Sequence, residues 1–328
     1  MPLFIVLFVF VSCGWEAASE AESRASKESE PAVVRPSFDS DSAYQYVAQQ
    51  VAFGPRTPRS KGHAACAEYL KAELARHGCD VTEQRGEVTL YDGSCEVARN
   101  IIGVINPDAT RRLMLFAHWD TRPWSDHDAD AANHRHPVNG ANDGASGVGV
   151  LLEIARQLQQ NKPAFGVDII FFDAEDWGAP EFFDGTPAVE HDWCLGSQYW
   201  AAHPHVDGYT AELGILLDMV GSVSPKFYYE LYSMNNAPQP QSELWRRAYD
   251  LGYGSLFYSL PGGAIVDDHL YVMKGRGFPC VDIIDFDPNA PMSGFAHYWH
   301  TVNDTMENVS RTTLGAVGEI LLSFIYDY

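Results

Sequence analysis

The stretch FFDAEDWG, residues 171–178, decides the fold and suggests the chemistry. An apolar run over residues 165–172 leads directly into three acids, Asp173, Glu175 and Asp176. The run predicts a buried strand, and open α/β sheets place their sites at the carboxyl ends of such strands. Adjacent carboxylates repel each other unless a positive charge lies beside them, and a divalent metal would supply that charge. A solvated acidic turn is the alternative, so the other ligands must come from elsewhere in the chain.

The composition limits the classes of partner. The chain has 328 residues, of which 46% are hydrophobic, and it carries 44 acidic residues against 22 basic ones. The formal net charge of −22 argues against nucleic acid as a partner, because phosphate binding requires a basic surface. The length is sufficient for one large α/β core.

The N-terminus predicts export. Residues 3–11, LFIVLFVFV, form an apolar run that is too short to span a bilayer and is typical of a signal peptide. The following Ser12-Cys13-Gly14 resembles the cleavage site of a bacterial lipoprotein, which would make a lipidated Cys13 the only membrane attachment. An ordinary secretory signal cleaved near Ala17 is the alternative. We therefore predict a leader over residues 1–13, a disordered tether over 14–36 and an exported protein, either periplasmic or anchored in the outer membrane as a lipoprotein.

Residues 37–328 predict a single catalytic domain in which strands alternate with helices. Periodicity and stop signals predict helices over residues 40–53, 60–77, 144–160, 196–203, 239–251 and 312–326. Apolar runs predict strands over residues 80–91, 96–105, 113–117, 165–172, 212–220, 226–232 and 278–284. This order predicts an α/β three-layer sandwich with a central, mostly parallel mixed sheet flanked by helices. The five cysteines after Cys13 would permit one or two disulfides in an oxidising compartment.

Polar residues recur at the carboxyl ends of the predicted strands and on the loops just beyond them. Besides the acids of FFDAEDWG, they are His118, Asp120, Asp143, Asp218, Asp267, Asp268, His269 and His300. In a parallel sheet these ends share one edge, so the side chains can converge. Carboxylate oxygens and imidazole nitrogens are donors of a catalytic zinc, whose three protein ligands leave a fourth position for water or substrate. The joint pattern therefore predicts a metal site, although each acid taken singly is more often on the surface.

Six motifs in a fixed order resemble a known superfamily. They are AHWD, GANDGASGVG, FFDAEDWG, LLDMVG, IVDDH and YWHTVND. Their order resembles the zinc-dependent exopeptidase, or zinc aminopeptidase, superfamily, and most of all the bacterial form of its glutaminyl cyclase branch, the glutaminyl-peptide cyclotransferases. The resemblance covers residues 40–328 and implies a zinc aminopeptidase-like fold. Carried over by motif, it implies that Asp143, Asp176 and His300 are the ligands of one zinc ion.

The same resemblance implies roles for the residues around the metal. Glu175 matches the general acid/base, and Asp218 and Asp267 match carboxylates that hydrogen-bond around the site. Trp299 matches a tryptophan of the substrate pocket. Trp193 is a second candidate wall for the slot that takes the glutamine methylenes. Core packing is the alternative for both tryptophans, because most Trp side chains are largely buried.

The implied reaction converts the N-terminal glutamine of a peptide or protein into pyroglutamate and releases ammonia. The alternative is a two-zinc aminopeptidase that releases N-terminal amino acids. Its ligands match His118, Asp143, Asp176, Asp218 and His300, which are all present. Asp267 in IVDDH and the pair Trp299-His300 favour the cyclase, so one zinc is expected. An exported binding protein with a silent site is a third interpretation.

Two positions depart from the relatives. Asp176 stands where many of them have glutamate, which shortens the ligand arm by a methylene. Asp282 stands where the animal enzymes have histidine. Asp267 and Asp282 could then share a proton, with one pKa raised. A solvated or backbone-paired Asp282 is the alternative.

Overall fold

The computed structural model describes residues 2–3, 35–290 and 293–328. Its strands are β1 Asp80–Thr89, β2 Cys95–Ile105, β3 Arg112–His118, β4 Gly166–Phe172, β5 Leu213–Asp218, β6 Phe227–Tyr229, β7 Phe257–Pro261 and β8 Cys280–Ile284. Six of them form the central sheet, in the order β1-β2-β4-β3-β5-β8. Strands β4, β3, β5 and β8 pair in parallel, whereas β2 pairs antiparallel with both β1 and β4. The prediction of a mostly parallel mixed sheet is confirmed.

The helices cover both faces of this sheet. They are α1 Ser40–Ala52, α2 Lys61–Arg76, α3 Ala145–Gln160, α4 Leu195–Ala202, α5 Leu231–Asn236, α6 Pro238–Asp250, α7 Asp268–Arg276 and α8 Arg311–Asp327. Side chains from α1, α2, α3, α6 and α8 share one hydrophobic cluster with one face of the sheet. Side chains from α4 and α7 share a second cluster with the other face. The three-layer sandwich is therefore as predicted.

Strand β3 shows why its sequence gives this architecture. Leu113 and Leu115 lie in the first cluster, and Met114 and Phe116 lie in the second. Successive side chains of a strand point to opposite faces, so a run that is apolar at every position needs cover on both sides. Each fully buried side chain of this kind contributes about 1.5–3 kcal/mol relative to exposure. The same alternation holds along β4, whose seven residues are all buried.

Local signals set the ends of the first two helices. The Asp39 carboxylate accepts hydrogen bonds from the backbone N–H groups of Asp41 and Ser42, which caps α1. The Ser60 hydroxyl accepts one from the backbone N–H of His63 and caps α2. Gly78 follows α2 with φ of +75°, a left-handed conformation that glycine adopts without strain.

The sequence prediction was wrong at residues 230–232 and missed two later elements, whereas the helices expected over 239–251 and 312–326 and the strand expected over 278–284 are present. The expected strand over 226–232 is only β6, because the Glu230 carboxylate accepts hydrogen bonds from the backbone N–H groups of Tyr232 and Ser233 and starts α5. Strand β7 pairs in parallel with β6 in a small second sheet and was not predicted. Helix α7 was not predicted either.

The disulfides that the sequence would permit are not formed. The cysteines of the described residues are all free, namely Cys66, Cys79, Cys95, Cys194 and Cys280.

Within the described residues, Arg35–Tyr328 form one unit by their contacts. The predicted leader and tether lie outside the described residues, except for residues 2, 3, 35 and 36, and stay predictions. Among the helices that are described, none is long and apolar enough to cross a membrane.

Candidate active site

The carboxyl edge of the parallel strands brings the predicted site residues together. His118 is the last residue of β3, and Asp218 is the last residue of β5. Glu175 and Asp176 lie on the turn just after β4, and Asp143 lies two residues before α3. All five residues were predicted for this edge, and their side chains converge on it.

Three of the predicted ligands form one group, named here the His300 group: Asp143, Asp176 and His300. Their donor atoms lie within 4.8 Å of one another, and all three residues are buried. The His300 Nε2 atom lies 3.0 Å from Asp176 Oδ1 and 3.5 Å from Asp143 Oδ2. The structure therefore places the three predicted zinc ligands around one point.

The charges of the His300 group fit a divalent cation. Burial lowers the pKa of His300 to about 4, so its imidazole is neutral at pH 7. Burial opposes ionisation of Asp176, but the charges of His300 and Arg122 lower its pKa to about 2. Burial and the neighbouring Asp176 raise the pKa of Asp143 well above its ordinary value. A neutral imidazole and buried carboxylates that repel each other are the donor set that zinc uses, and zinc would relieve the repulsion.

A second group shares Asp143 and is named here the His118 group: His118, Asp143 and Asp218. Their donor atoms also lie within 4.8 Å of one another. The His118 Nε2 atom lies 3.0 Å from Asp143 Oδ1 and 3.2 Å from Asp218 Oδ1, and Nδ1 lies 3.4 Å from Asp120 Oδ1. Burial opposes a charge on His118, yet these three carboxylates raise its pKa well above the ordinary value. The three carboxylates therefore favour the protonated form of His118.

The predicted acid/base lies next to the His300 group in an environment that favours its protonated form. Burial raises the pKa of Glu175 well above the ordinary value. The charge of His118 opposes this shift, and the charges of Asp267 and Asp176 add to it. Burial and Asp218 likewise raise the pKa of Asp267. A carboxyl group with a raised pKa can both accept and donate a proton near neutral pH.

Asp282 belongs to the same acidic region. Asp267, His269 and Asp282 have donor atoms within 4.8 Å of one another, and burial together with Asp267 raises the pKa of Asp282. Asp282 is fully buried, so the solvated alternative is wrong. The proton shared between Asp267 and Asp282 stays a hypothesis, which this proximity favours.

Two tryptophans line the cavity that leads to the acids. The cavity has a volume of about 480 Å³, and its walls include Trp193, Trp299, Glu175 and Asp176. The Trp299 ring stacks on the His300 ring with centroids 3.6 Å apart. The Trp193 ring is parallel to the His300 ring, and the centroids of these two rings are 6.0 Å apart. Both tryptophans are only partly buried and line the cavity, and their role in substrate binding stays a prediction.

Two acids position the ligand turns through backbone N–H groups, and of these Asp304 was not predicted from the sequence. Asp304 accepts hydrogen bonds from the backbone N–H groups of Asn142, at 2.8 Å, and Asp143, at 3.0 Å. Asp120 accepts them from the backbone N–H groups of Glu175 and Asp176. The only sequence signal for Asp304 is its place in YWHTVNDT, just after His300.

Arg122 was also missed. It is fully buried, forms an ion pair with Asp126 at 2.5 Å, and donates a hydrogen bond to the backbone oxygen of Asp176 at 3.2 Å. Its guanidinium carbon lies 4.4 Å from the centroid of the Trp193 ring. Arg122 therefore supports both the ligand turn and one wall of the cavity.

A mostly parallel sheet covered on both faces, with carboxylates and an imidazole converging at its carboxyl edge, defines a metalloenzyme of the zinc-dependent exopeptidase class. The sequence model of Peptidase family M28 matches residues 100–325, and the chain belongs to this family.

This chain is similar to two solved structures at more than 50% identity and to a curated protein at lower identity. A Zn-dependent exopeptidase from Parabacteroides distasonis is 54% identical, with a TM-score of 0.88, over 90% of this chain and 100% of that one. The glutaminyl cyclase of Tannerella forsythia is 55% identical, with a TM-score of 0.86, over 89% of this chain and 100% of that one. The glutaminyl-peptide cyclotransferase of Bos taurus is 27% identical over 83% of this chain and 78% of its own length.

Proposed function

We propose that this protein is a glutaminyl-peptide cyclotransferase. It converts the N-terminal glutamine of peptides or proteins into pyroglutamate and releases ammonia. The observation that carries the proposal is Glu175, a carboxyl group with a raised pKa that lines the same cavity as the His300 group and the two tryptophans. The similarity to glutaminyl cyclases supports the same assignment.

The reaction needs no nucleophile from the protein. The α-amine nitrogen of the substrate bonds to its own γ-carbonyl carbon, and the bond from that carbon to the amide nitrogen breaks. One proton must move from the amine to the leaving nitrogen, which then departs as ammonia. Glu175 is the group that takes and returns this proton, and general acid–base catalysis of this kind contributes typically ~10²–10⁴-fold.

The other residues bind and orient the substrate. Asp218 holds the α-amine, and Asp267 holds the amide nitrogen on the side of Glu175. Trp193 and Trp299 hold the glutamine methylenes, so the chain is folded into an attack geometry before reaction. Asp143, Asp176 and His300 would hold zinc, which would supply Lewis-acid chemistry for the γ-amide.

We propose one zinc per chain. The His118 group offers a second set of donors, as the two-zinc aminopeptidase alternative requires. A proton on His118 would have to leave before a second metal could bind Nε2, and the carboxylates that raise the pKa of His118 oppose that loss, which supports a single zinc. A thiol or hydroxyl nucleophile is not part of either reaction.

A paired assay tests the function. Purified protein is incubated with a glutamine-initiated peptide, and ammonia, pyroglutamate and free amino acids are measured beside zinc content. We expect ammonia and pyroglutamate, and a ~10²–10⁴-fold loss in Glu175→Gln with zinc retained. Two tightly bound zinc ions per chain together with amino-acid release would overturn the cyclase in favour of the aminopeptidase.

We also propose that the protein acts outside the cytoplasm, attached to a membrane through a lipidated Cys13. The apolar run over residues 3–11 and the following Ser12-Cys13-Gly14 support this. Labelling with a radioactive fatty acid in bacterial cells should mark the wild-type protein and not Cys13→Ser. Equal labelling of both, or of neither, would contradict the anchor.

A further inference from the structure

The carboxylate of Glu175 has a single hydrogen-bond partner within residues 35–290 and 293–328. The Cys194 thiol donates to Glu175 Oε1, with the sulfur 3.1 Å from the oxygen. The backbone of Glu175 is held separately, since its N–H donates to Asp120 Oδ1 at 3.2 Å. The side chain of the proposed acid/base is thus oriented by a cysteine that the mechanism above does not use.

Cys194 is itself held tightly against the turn that carries Glu175. Its backbone N–H donates to the backbone oxygen of Glu175 at 2.9 Å, and the next N–H, of Leu195, donates to the oxygen of Ala174 at 2.9 Å. Cys194 is fully buried and has φ of +56°, a conformation that non-glycine residues adopt only when their surroundings enforce it. Backbone and side chain therefore contact the same residue from one fixed position.

The thiol is suited to donating a hydrogen bond and unsuited to nucleophilic chemistry. Burial raises the pKa of Cys194 well above its ordinary value, and the acids Glu175, Asp268 and Asp267 raise it further. The reactive form of cysteine is the thiolate, which this environment disfavours. A redox or covalent role for Cys194 therefore fits less well than a structural hydrogen bond.

We infer that Cys194 is a positioning residue that fixes Glu175 Oε1 and leaves Oε2 free for the proton that moves during cyclisation. The donor atoms of Glu175, Cys194 and Asp267 lie within 4.8 Å of one another, so a rotated Glu175 would lose its place beside Asp267. This inference rests on the proposed function. It concerns the orientation of the Glu175 carboxylate and not the identity of the reaction.

The test uses Cys194→Ala and Cys194→Ser in the zinc-loaded protein, with glutamine-peptide turnover as the assay. We expect Cys194→Ala to lower kcat ~10-fold, with KM and zinc content within about twofold of wild type. The reason is that the orientation of the Glu175 carboxylate is lost while the protein still binds substrate and zinc. Cys194→Ser keeps a donor and should restore kcat to within about threefold of wild type. Cys280→Ala is the matched control, since it removes another buried thiol that contacts no acid, and its kcat should be unchanged.

A double-mutant cycle separates positioning from packing. If Cys194 acts through Glu175, Cys194→Ala should cause no further loss in a Glu175→Gln background. An undiminished kcat in Cys194→Ala, equal impairment of the Ala and Ser variants, or a full ~10-fold loss in the Glu175→Gln background would each overturn the inference. Wild-type protein without ammonia release would instead overturn the proposed function.

A second measurement needs no cysteine variant, so it tests the hydrogen bond between Cys194 and Glu175 even if Cys194→Ala does not fold. The infrared S–H stretching band of a hydrogen-bonded thiol moves when its acceptor changes. The difference spectrum between wild type and Glu175→Gln should show one shifted S–H band. The absence of any shift would show that the thiol does not bond to Glu175.

Discussion

The His300 group and the His118 group look alike and differ in charge. Each holds one histidine, shares Asp143, and places an Nε2 atom 3.0 Å from a carboxylate oxygen. Burial lowers the pKa of His300 to about 4, whereas three carboxylates outweigh burial and raise the pKa of His118 well above its ordinary value. The two sets of donors therefore match in geometry and differ in how strongly each histidine holds a proton.

Arg122 is one source of the asymmetry. Its guanidinium opposes a proton on His300 and favours the ionised form of Asp176. His118 has no such neighbour among the groups that shift its pKa, since Asp120, Asp143 and Asp218 all favour its charge. The two histidines of matching donor sets are thus shifted in opposite directions by their neighbours.

The largest effect should follow the loss of a His300-group ligand. His300→Ala removes the neutral imidazole, so zinc content should fall towards zero and kcat/KM should drop ~10³-fold, since a metal supplies several kcal/mol to such a step. Metal analysis and the peptide assay measure both. His136→Ala, which removes an exposed histidine from a neighbouring loop, is the control. Stoichiometric zinc in His300→Ala would show that the metal lies elsewhere.

Removal of zinc should destabilise the protein in a pH-dependent way. Bound zinc adds about 4 kcal/mol to the free energy of unfolding when free zinc exceeds its Kd about 1,000-fold. Zinc binds the neutral form of His300 and the ionised form of Asp143, whose pKa is raised, so protons compete with zinc as pH falls.

The zinc-free protein should respond to pH in the opposite direction at Asp143. An acid whose folded pKa is raised contributes stability at low pH and loses it as pH rises through the folded pKa. The difference in Tm between zinc-loaded and chelated protein should therefore be larger at pH 8 than at pH 5. Thermal unfolding at both pH values measures it, and a difference that shrinks on raising the pH would contradict the assignment.

Changing His118 should leave the metal in place. His118→Gln removes the buried cation from Asp143 and Asp218, which should cost about 3 kcal/mol of stability. The zinc content should stay at one per chain, because the donors of the His300 group are intact. Urea unfolding and metal analysis measure the two effects. A fall from two zinc ions to one would show that the His118 group binds metal and would favour the aminopeptidase.

The fold was predictable because its core strands are apolar at nearly every position. Strands β3, β4 and β5 are such runs, and the acids that follow them marked the edge where the site lies. Helix α7 could not be predicted, because Asp268–Arg276 is short and follows an apolar loop without a clear periodic pattern. The switch from strand β6 to helix α5 depends on a cap by Glu230 that the apolar pattern of the sequence does not show.

The site was predictable as a set of residue types and not as a set of charges. Motifs identify His118 and His300 equally well, but their protonation depends on which carboxylates and which guanidinium surround them in three dimensions. The residues that form hydrogen bonds with Asp143 and Glu175 could not be predicted from the sequence either. Asp304 lies 161 residues from Asp143 in sequence, and the thiol of Cys194 contacts Glu175 only because two turns pack together.

The smallest effect is expected from Asp304, which contacts the His300 group only through backbone. Asp304→Asn replaces one of the two acceptor oxygens with an N–H₂ group that faces the N–H of Asn142 or Asp143, so stability should fall by about 1–2 kcal/mol. Zinc affinity should weaken about 10-fold, as for other residues that orient a ligand. Asp92→Asn is the control, because Asp92 accepts from Ser94 in the exposed turn between β1 and β2. Zinc affinity equal to wild type in Asp304→Asn would show that α3 and the His300 group hold Asp143 in place without this contact.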